Sequence, residues 1–203
     1  MFVKPKKSLG QNFLIDRKIL ELIVDTVEVS NKSILEIGPG TGNLTTFILK
    51  KKPKKVYVIE KDDELALSLK DKFIDKITII NNDVLQVTED KISHDKLTVF
   101  GNLPYNISTE ILSKWIINIG KKIWFEKLVL MFQKEVAERI IAESNTSKYG
   151  RLSILSNWKL NIKKIIDINP ECFSPRPKID STLLLFTPKK KFFELKDAKN
   201  LEM

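Results

Sequence analysis

The chain has 203 residues, which is enough for one well-buried domain with a small appendage but cramped for two. Hydrophobic residues make up 42% and charged residues 30%, which excludes a disordered or fibrous protein. No stretch approaches the roughly 20 apolar residues that cross a bilayer, and the N-terminus lacks the apolar core of a secretory signal. We therefore expect a soluble, cytoplasmic protein.

The charge balance and the scarcity of metal ligands narrow the class of function further. Lysine and arginine number 35 against 26 aspartate and glutamate, a net charge of +9 that favours a polyanionic partner, although solubility alone explains such an excess equally well. The one cysteine, Cys172, cannot form an internal disulfide, and with one histidine it leaves no plausible zinc cluster. We expect no metal in the site.

Apolar runs rich in Ile, Val and Leu alternate with amphipathic stretches, a pattern typical of a parallel, doubly wound sheet. Two predicted helices are marked by an apolar face, one at Leu20, Ile23, Val24 and Val27 and one at Leu112, Trp115, Ile116 and Ile119. Three further helices are predicted over residues 43–51, 63–73 and 134–142. The predicted strands cover residues 33–37, 56–60, 77–81, 97–101, 128–132, 160–168 and 181–187. The sequence thus predicts a Rossmann-like α/β fold on a seven-stranded sheet.

The last two predicted strands break this alternation. Only residues 169–180, with three prolines, separate them, which suits an antiparallel return better than a helical crossover. We expect a sheet that is mostly parallel, with its last strand antiparallel. After Pro188 the periodicity is lost, which predicts a linker or a frayed tail.

A glycine-rich loop follows the first predicted strand. Gly38, Gly40 and Gly42 precede a helix, so the backbone can approach a ligand closely in the crevice where open α/β sheets bind cofactors. The dinucleotide fingerprint places its third glycine one residue later, where this chain has Asn43, and no Lys-Ser or Lys-Thr pair follows to make a phosphate-binding loop. A turn that only directs the chain is the alternative.

Two carboxylates follow the next two predicted strands. Glu60 closes the second strand, where a carboxylate can accept both hydroxyls of a ribose, and Asp83 follows the third, where it can meet an adenine amino group. Each could instead cap a turn or pair with a lysine. Suitable groups at three successive strand ends favour one nucleoside site. A cofactor that contains adenosine but no pyrophosphate fits these groups, which indicates S-adenosylmethionine.

Four sequence blocks resemble the bacterial small-subunit (16S) ribosomal RNA adenine N6,N6-dimethyltransferases. They are KSLGQNFL at 7–14, EIGPGTGNLT at 36–45, GNLPYNIS at 101–108 and FSPRPKIDS at 173–181. Their order along the chain argues against chance agreement. The resemblance implies the fold of S-adenosylmethionine-dependent methyltransferases and that cofactor. It also implies a role in ribosome biogenesis, acting on small-subunit RNA or on the assembling subunit, and we expect a monomer.

The resemblance gives a chemical role to residues 102–105, here called the clamp. An adenine amino nitrogen is a poor nucleophile because its lone pair is delocalised into the ring, and acceptors on its N–H bonds can draw it toward tetrahedral geometry. The Asn102 oxygen can be one acceptor, and the resemblance implies that the Leu103 carbonyl is the other, held extended by Pro104. Tyr105 can stack on the base, and by resemblance Phe173 supplies a second aromatic contact unless it only packs in the core. Such chemistry needs a loop or an extruded base.

The resemblance also implies that the N-terminal block folds over the cofactor as a lid. Asn12 and Leu14 would touch methionine or adenosine, and Gln11 would belong to the same lid, with Gly38 and Gly40 on the other side. The nearby lysines would meet RNA phosphates or be solvated; they are Lys4, Lys6 and Lys7. We assign residues 1–188 to the catalytic domain, with the lid and first helix in residues 1–30.

The sequence departs from the family pattern in two places. Family members usually continue into a small helical domain that helps to grip RNA, whereas residues 189–203 end this chain as a linker or as the start of such a domain. Lys61 follows the ribose carboxylate where an apolar residue is expected.

The alternative functions are a large-subunit RNA methyltransferase of the antibiotic-resistance type, whose clamp favours Ile where this chain has Leu103, and a non-catalytic RNA-binding or transcription-factor relative. The glycine spacing disfavours a nicotinamide oxidoreductase.

Overall fold

A sheet of seven strands forms the centre of the computed structural model, which describes residues 5–6, 10–119 and 123–193. Its strands are numbered in chain order: β1 Phe13–Leu14, β2 Ser33–Ile37, β3 Lys55–Glu60, β4 Thr78–Asn81, β5 Leu97–Asn102, β6 Phe125–Gln133, β7 Leu160–Ile168, β8 Phe173–Ser174 and β9 Ser181–Pro188. The sheet has the order β4-β3-β2-β5-β6-β9-β7, and neighbours are parallel except where β9 pairs with β6 and β7. The predicted sheet with an antiparallel last strand is confirmed.

Six α-helices connect the strands of the described residues. They are α1 Arg17–Asp25, α2 Asn43–Lys50, α3 Asp63–Phe73, α4 Ser108–Ile117, α5 Lys134–Ile140 and α6 Arg151–Lys159. Val27 and Ile119, predicted on helix faces, lie just beyond α1 and α4 and are nevertheless buried. Aspartates cap two of these helices: Asp16 accepts a hydrogen bond from the Ile19 amide at 3.0 Å, and Asp62 does the same for the first turn of α3.

Helix α6 is the helix that the sequence pattern missed. Leu152 and Trp158 face the core as expected of a helix, but Ser153 and Ser156 are buried beside them. Buried serines interrupt the apolar periodicity, so the segment looks polar in sequence. Ser153 Oγ donates to the Arg139 carbonyl at 2.6 Å, which fastens α6 to the last turn of α5.

Helices cover both faces of the sheet because alternate side chains of each strand point to opposite sides. One face, with Leu35, Val99 and Leu130, packs against α4, α5 and α6 and includes the three tryptophans, which have the core positions expected of them. The other face, with Ile34 and Phe100, packs against α1 and α2. Neighbouring parallel strands β2, β3 and β5 run in register, so their carboxyl ends meet at one edge of the sheet.

Two short strands outside the main sheet join distant parts of the chain. Strand β1 pairs antiparallel with β8, placing Phe13 opposite Ser174 and Leu14 opposite Phe173. The sequence did not predict either strand, since two residues are too few to show a period. The pairing holds the N-terminal segment against the loop that precedes β9.

The chain remains in contact with the domain for several residues after β9. The Lys189 amide donates to the Lys159 carbonyl at 2.8 Å, and Trp158 Nε1 donates to the Phe193 carbonyl at 2.8 Å. The Phe192 ring lies 6.3 Å from that of Trp158. Residues 189–193 of the predicted tail thus pack on α6, and residues 194–203 lie outside the described part of the chain.

A buried acid ties β2 to α2 beneath the glycine loop. Glu36 is 2% exposed and accepts a hydrogen bond from Thr45 Oγ1 at 2.6 Å. Burial raises the pKa of Glu36 from 4.5 to about 7, against the opposing effect of the Thr45 hydrogen bond, and the nearby Glu60 raises it further. Ionised Glu36 is therefore a cost to the folded state.

We expect Glu36→Gln to stabilise the protein above neutral pH. The unfolded chain ionises Glu36 near its ordinary pKa of 4.5, whereas the folded protein keeps the proton up to a pKa of about 7, so the wild-type free energy of unfolding falls between these values. A pKa difference of this size corresponds to about 3 kcal/mol. The glutamine keeps an acceptor for Thr45 and does not ionise, so its advantage in urea unfolding grows from about pH 5 to about pH 8.

The matched control is Glu21→Gln, since Glu21 is exposed on α1. The same pH profile in both variants would contradict the assignment to Glu36.

Candidate active site

A cavity opens where the carboxyl ends of β2, β3 and β5 meet, as expected for an open α/β sheet. It brings together all but two of the site residues that the sequence predicts: Gln11, Asn12, Gly38, Gly40, Glu60, Asp83, Asn102, Leu103 and Tyr105. The two exceptions, Leu14 and Phe173, do not line it. Groups that are far apart in sequence therefore face one space.

The glycine loop is shaped by its packing against neighbouring side chains. Gly38, Gly40 and Gly42 have φ values of 63°, 57° and 74°, in the left-handed region that side chains rarely adopt. A Cβ on Gly40 would lie 2.7 Å from the Phe13 ring, and one on Gly42 would lie 2.5 Å from the Phe73 ring. These glycines let the loop turn tightly under the N-terminal segment, while Gly38 and Gly40 also border the cavity.

Glu60 is fixed by the backbone on both sides. Its Oε2 accepts a hydrogen bond from the Gly40 amide at 3.1 Å, and its Oε1 accepts one from the Asp62 amide at 3.0 Å. Burial raises the pKa of Glu60, and these backbone donors partly offset that effect. The carboxylate is thereby held in one orientation at the end of β3, on the wall of the cavity.

Asp83 makes both of the bonds that the sequence left open as alternatives. Its Oδ1 accepts from the Leu85 amide at 2.9 Å and caps a short turn, and its Oδ2 accepts from Lys61 Nζ at 2.8 Å. The Lys61 hydrogen bond is the main reason that the pKa of Asp83 is lowered. Asp83 and Lys61 both line the cavity.

Asn102 is oriented by the N-terminal segment. Its Nδ2 donates to the Asn12 carbonyl at 2.8 Å. A carbonyl can only accept, so the amide must present its NH₂ group there, and its Oδ1 occupies the opposite branch as an acceptor. The Leu103 side chain is buried against Gly101, where a Cβ would lie 2.8 Å from Leu103 Cδ2. The side chain of Leu103 is thus an anchor, while the residue as a whole borders the cavity.

The two predicted aromatic residues of the site have different surroundings. Tyr105 is half-buried at the cavity, and its hydroxyl lies 2.7 Å from Ser181 Oγ, at the start of β9. Burial raises the pKa of Tyr105, against a smaller opposing effect of Ser181. Phe173 instead lies in the core cluster that contains Leu14 and Met131. In this conformation Phe173 packs in the core, the alternative that the sequence left open.

The lid, here residues 10–14, is fastened at the start of α3. Gln11 Nε2 donates to Asp62 Oδ2 at 3.1 Å, and Lys6 Nζ donates to Asp62 Oδ1 at 2.9 Å. The Lys6 amide also donates to Gln11 Oε1 at 2.7 Å. Lys6, expected to meet RNA or solvent, is therefore paired with a buried carboxylate, whereas Lys4 and Lys7 lie outside the described residues.

Sequence reasoning missed the residues that hold the lid. Asp62 is one, although its place before a predicted helix is a typical N-cap signal. Asn43 is another: its Nδ2 donates to the Leu14 carbonyl at 2.8 Å, so Leu14 contributes its backbone to the lid while its side chain is buried. These contacts span distant parts of the chain and leave no local pattern.

Two classes of feature are absent from the part of the chain that the structure describes. None of its helices combines the length and the apolar character required to cross a bilayer. In that same part, no group of three His, Cys, Asp or Glu side chains is arranged to hold a metal ion.

Comparison with known proteins places this chain in a family. The sequence model described as ribosomal RNA adenine dimethylase matches residues 3–203. The ribosomal RNA small subunit methyltransferase A of Pelagibacter ubique (strain HTCC1062) is 73% identical over 202 residues, which are 100% of this chain and 77% of that protein.

Solved structures are similar in fold as well. A dimethyladenosine transferase from Plasmodium falciparum has a TM-score of 0.78 and 31% identity, over 88% of this chain and 64% of that one. The 23S rRNA methyltransferase ErmE has a TM-score of 0.76 and 25% identity, over 93% of this chain and 75% of that one. On the family match and the close relative, this chain belongs to the ribosomal RNA adenine dimethylase family.

Proposed function

We propose that this protein transfers two methyl groups from S-adenosylmethionine to the exocyclic amino group of adenines in a hairpin loop of small-subunit ribosomal RNA. The observation that carries the proposal is the Asn102 amide, oriented by the Asn12 carbonyl at 2.8 Å at the rim of the cavity. The 73% identity to a protein named ribosomal RNA small subunit methyltransferase A supports the choice of substrate.

The cavity offers the groups that an adenosine cofactor needs. Glu60 presents a fixed carboxylate to the ribose hydroxyls, and Asp83 presents Oδ2 to the adenine amino group. Asn12 and Gln11 close the cavity from the lid side, opposite Gly38. Bound S-adenosylmethionine supplies an activated methyl carbon, and the residues of this chain prepare the nitrogen that takes it.

The clamp prepares the target nitrogen by accepting its protons. Asn102 Oδ1 and the Leu103 carbonyl accept hydrogen bonds from the amino group, which frees the lone pair from the ring and directs it at the methyl carbon. Tyr105 stacks on the base, a contact worth roughly 1–3 kcal/mol. The alkylated amino group is acidic and loses its proton to solvent or an acceptor, so no histidine or cysteine base is needed. Positioning and electrostatics carry the rate.

The second transfer needs the same clamp with a smaller set of hydrogen bonds. After the first transfer only one N–H remains on the nitrogen, so one acceptor must orient it while the pocket accommodates a methyl group. We assign this chemistry to a catalytic domain of residues 1–188, acting as a monomer.

A methylation assay tests the proposal against its alternatives. Labelled S-adenosylmethionine is incubated with assembled small subunits, bare small-subunit RNA and bare large-subunit RNA, all unmethylated, and the products are mapped. We expect two methyl groups on adenines of the small-subunit RNA. Label on large-subunit RNA alone would support an activity like that of ErmE, and RNA binding without any label would support a non-catalytic relative.

We expect Asn102→Ala to reduce turnover about a hundredfold, because it removes an acceptor that acts most strongly in the transition state. Affinity for S-adenosylhomocysteine should fall much less, since Glu60 and Asp83 are unchanged. The measurements are single-turnover methylation and calorimetric titration. Asn161→Ala, at an exposed position on β7, is the matched control. Turnover like that of wild type in Asn102→Ala would exclude Asn102 from the clamp.

We expect Glu60→Ala to weaken binding of S-adenosylhomocysteine about tenfold or more, because hydrogen bonds to a charged acceptor contribute more than neutral ones. Glu60 also accepts from the Gly40 and Asp62 amides, so the variant should melt at a lower temperature. Titration by calorimetry well below that temperature separates the two effects. Glu21→Ala, on the exposed side of α1, provides the comparison, and unchanged affinity in Glu60→Ala would remove this carboxylate from the ribose site.

A further inference from the structure

Lys61 lies at the cavity against the carboxylate assigned to adenine. Asp83 uses Oδ1 for the Leu85 amide, at 2.9 Å, in the cap of the turn Val84–Gln86. The other oxygen, Oδ2, accepts no hydrogen bond from the backbone of the described residues, so we assign it to the ligand; Lys61 Nζ donates to it at 2.8 Å. The lysine and a purine amino group therefore need the same atom.

We propose that Lys61 competes with the adenine amino group for Asp83 Oδ2, and that it thereby weakens the preference of the site for an amino purine over an oxo purine. This inference rests on the proposed S-adenosylmethionine site and assigns a residue that sets its base specificity.

The exposure of the two side chains shows how the competition works. The Lys61 side chain is 57% exposed and that of Asp83 is 22% exposed. An exposed ion pair contributes little to stability because water screens it and a long side chain loses freedom to form it. Lys61 can therefore swing into solvent at small cost when a ligand reaches Oδ2. The Asp83 carboxylate stays in place because its other oxygen is bonded to backbone.

The neighbouring lysine does not take part in this exchange. Lys114 Nζ donates to the Val84 and Val87 carbonyls at 3.0 and 2.6 Å and to Glu89 Oε1 at 2.8 Å. It acts on Asp83 only through its charge. Among the described residues, Lys61 is thus the lysine that pairs directly with Asp83.

The two members of the pair suit opposite bases. The adenine amino group donates hydrogen bonds and needs the acceptor that Asp83 supplies. The oxo group of hypoxanthine accepts and needs the donor that Lys61 supplies, since an ammonium group donates only and an ionised carboxylate accepts only. Removing the lysine should therefore favour adenine and disfavour hypoxanthine, an opposite pair of effects that a change in general stability would not produce.

The test is calorimetric titration of wild type and Lys61→Met with S-adenosylhomocysteine and with S-inosylhomocysteine, its oxo counterpart. We expect Lys61→Met to bind the adenosine ligand about two- to fivefold more tightly, the range set by the strength of an exposed ion pair. It should bind the inosine ligand more weakly than wild type does. Lys76→Met is the matched control, because Lys76 is exposed and does not line the cavity, and it should bind both ligands as wild type does.

A second pair of variants isolates the contact itself. In an Asp83→Asn background, Lys61→Met should no longer strengthen binding of the adenosine ligand, because the carboxylate oxygen for which the two groups compete has been removed. Adenosine binding that is equal or weaker in Lys61→Met than in wild type would overturn the role of Lys61 while leaving the proposed function standing. A wild-type protein that bound neither ligand would overturn the proposed function and this inference with it.

Discussion

The hydrogen bond from Asn102 to the Asn12 carbonyl joins two parts of the site that lie 90 residues apart in the chain. It sets the polarity of the clamp, because an amide that gives its NH₂ group to the lid keeps its oxygen as a free acceptor, the role that the proposed mechanism needs. The lid is itself positioned by Asp62 through Gln11 and by Asn43 through the Leu14 carbonyl. The proposed chemistry at the clamp thus depends on a segment to which we assign no bond with the target base.

Acids in and beneath the cavity give a basic protein an acidic centre. Glu36 and Glu60 are buried, and burial raises the pKa of each, while Asp62 and Asp83 are held ionised by lysines. The chain as a whole carries +9. Such a distribution suits a cationic small molecule inside and a polyanion outside, which are the charges of the proposed cofactor and of RNA. Glu60 and Asp83 also accept hydrogen bonds from backbone amides of neighbouring loops, so the same groups stabilise the fold and line the site.

The sequence anticipates elements whose pattern is local and misses those that depend on distant contacts. Helix α3 and strands β2 and β7 have the predicted bounds, because each carries a complete apolar period between clear end signals. Helix α6 was missed because of its buried serines, and the pairing of β1 with β8 because of its length. The positions of Glu60, Asp83 and Asn102 at strand ends could be predicted because the strands themselves have a local apolar pattern. The pairing of Lys6 with Asp62, across 56 residues, was not.

The polar groups of this site differ in the partners that already bind them within the chain. Some are bonded to the backbone, and one is bonded to a lysine side chain. Glu60 and Asn102 are bonded to backbone groups that orient them, and a carboxylate or amide oxygen keeps further lone pairs for a ligand. Binding to such atoms adds hydrogen bonds to an ordered framework, so little ordering entropy is lost. Asp83 differs, because the exposed Lys61 side chain donates to the oxygen that we assign to the base. On our proposal, binding of a base there exchanges one hydrogen bond for another, so the affinity at the adenine end is a difference between two similar energies. Under the proposed function the ribose end therefore supplies most of the cofactor affinity, while the adenine end determines which base is accepted.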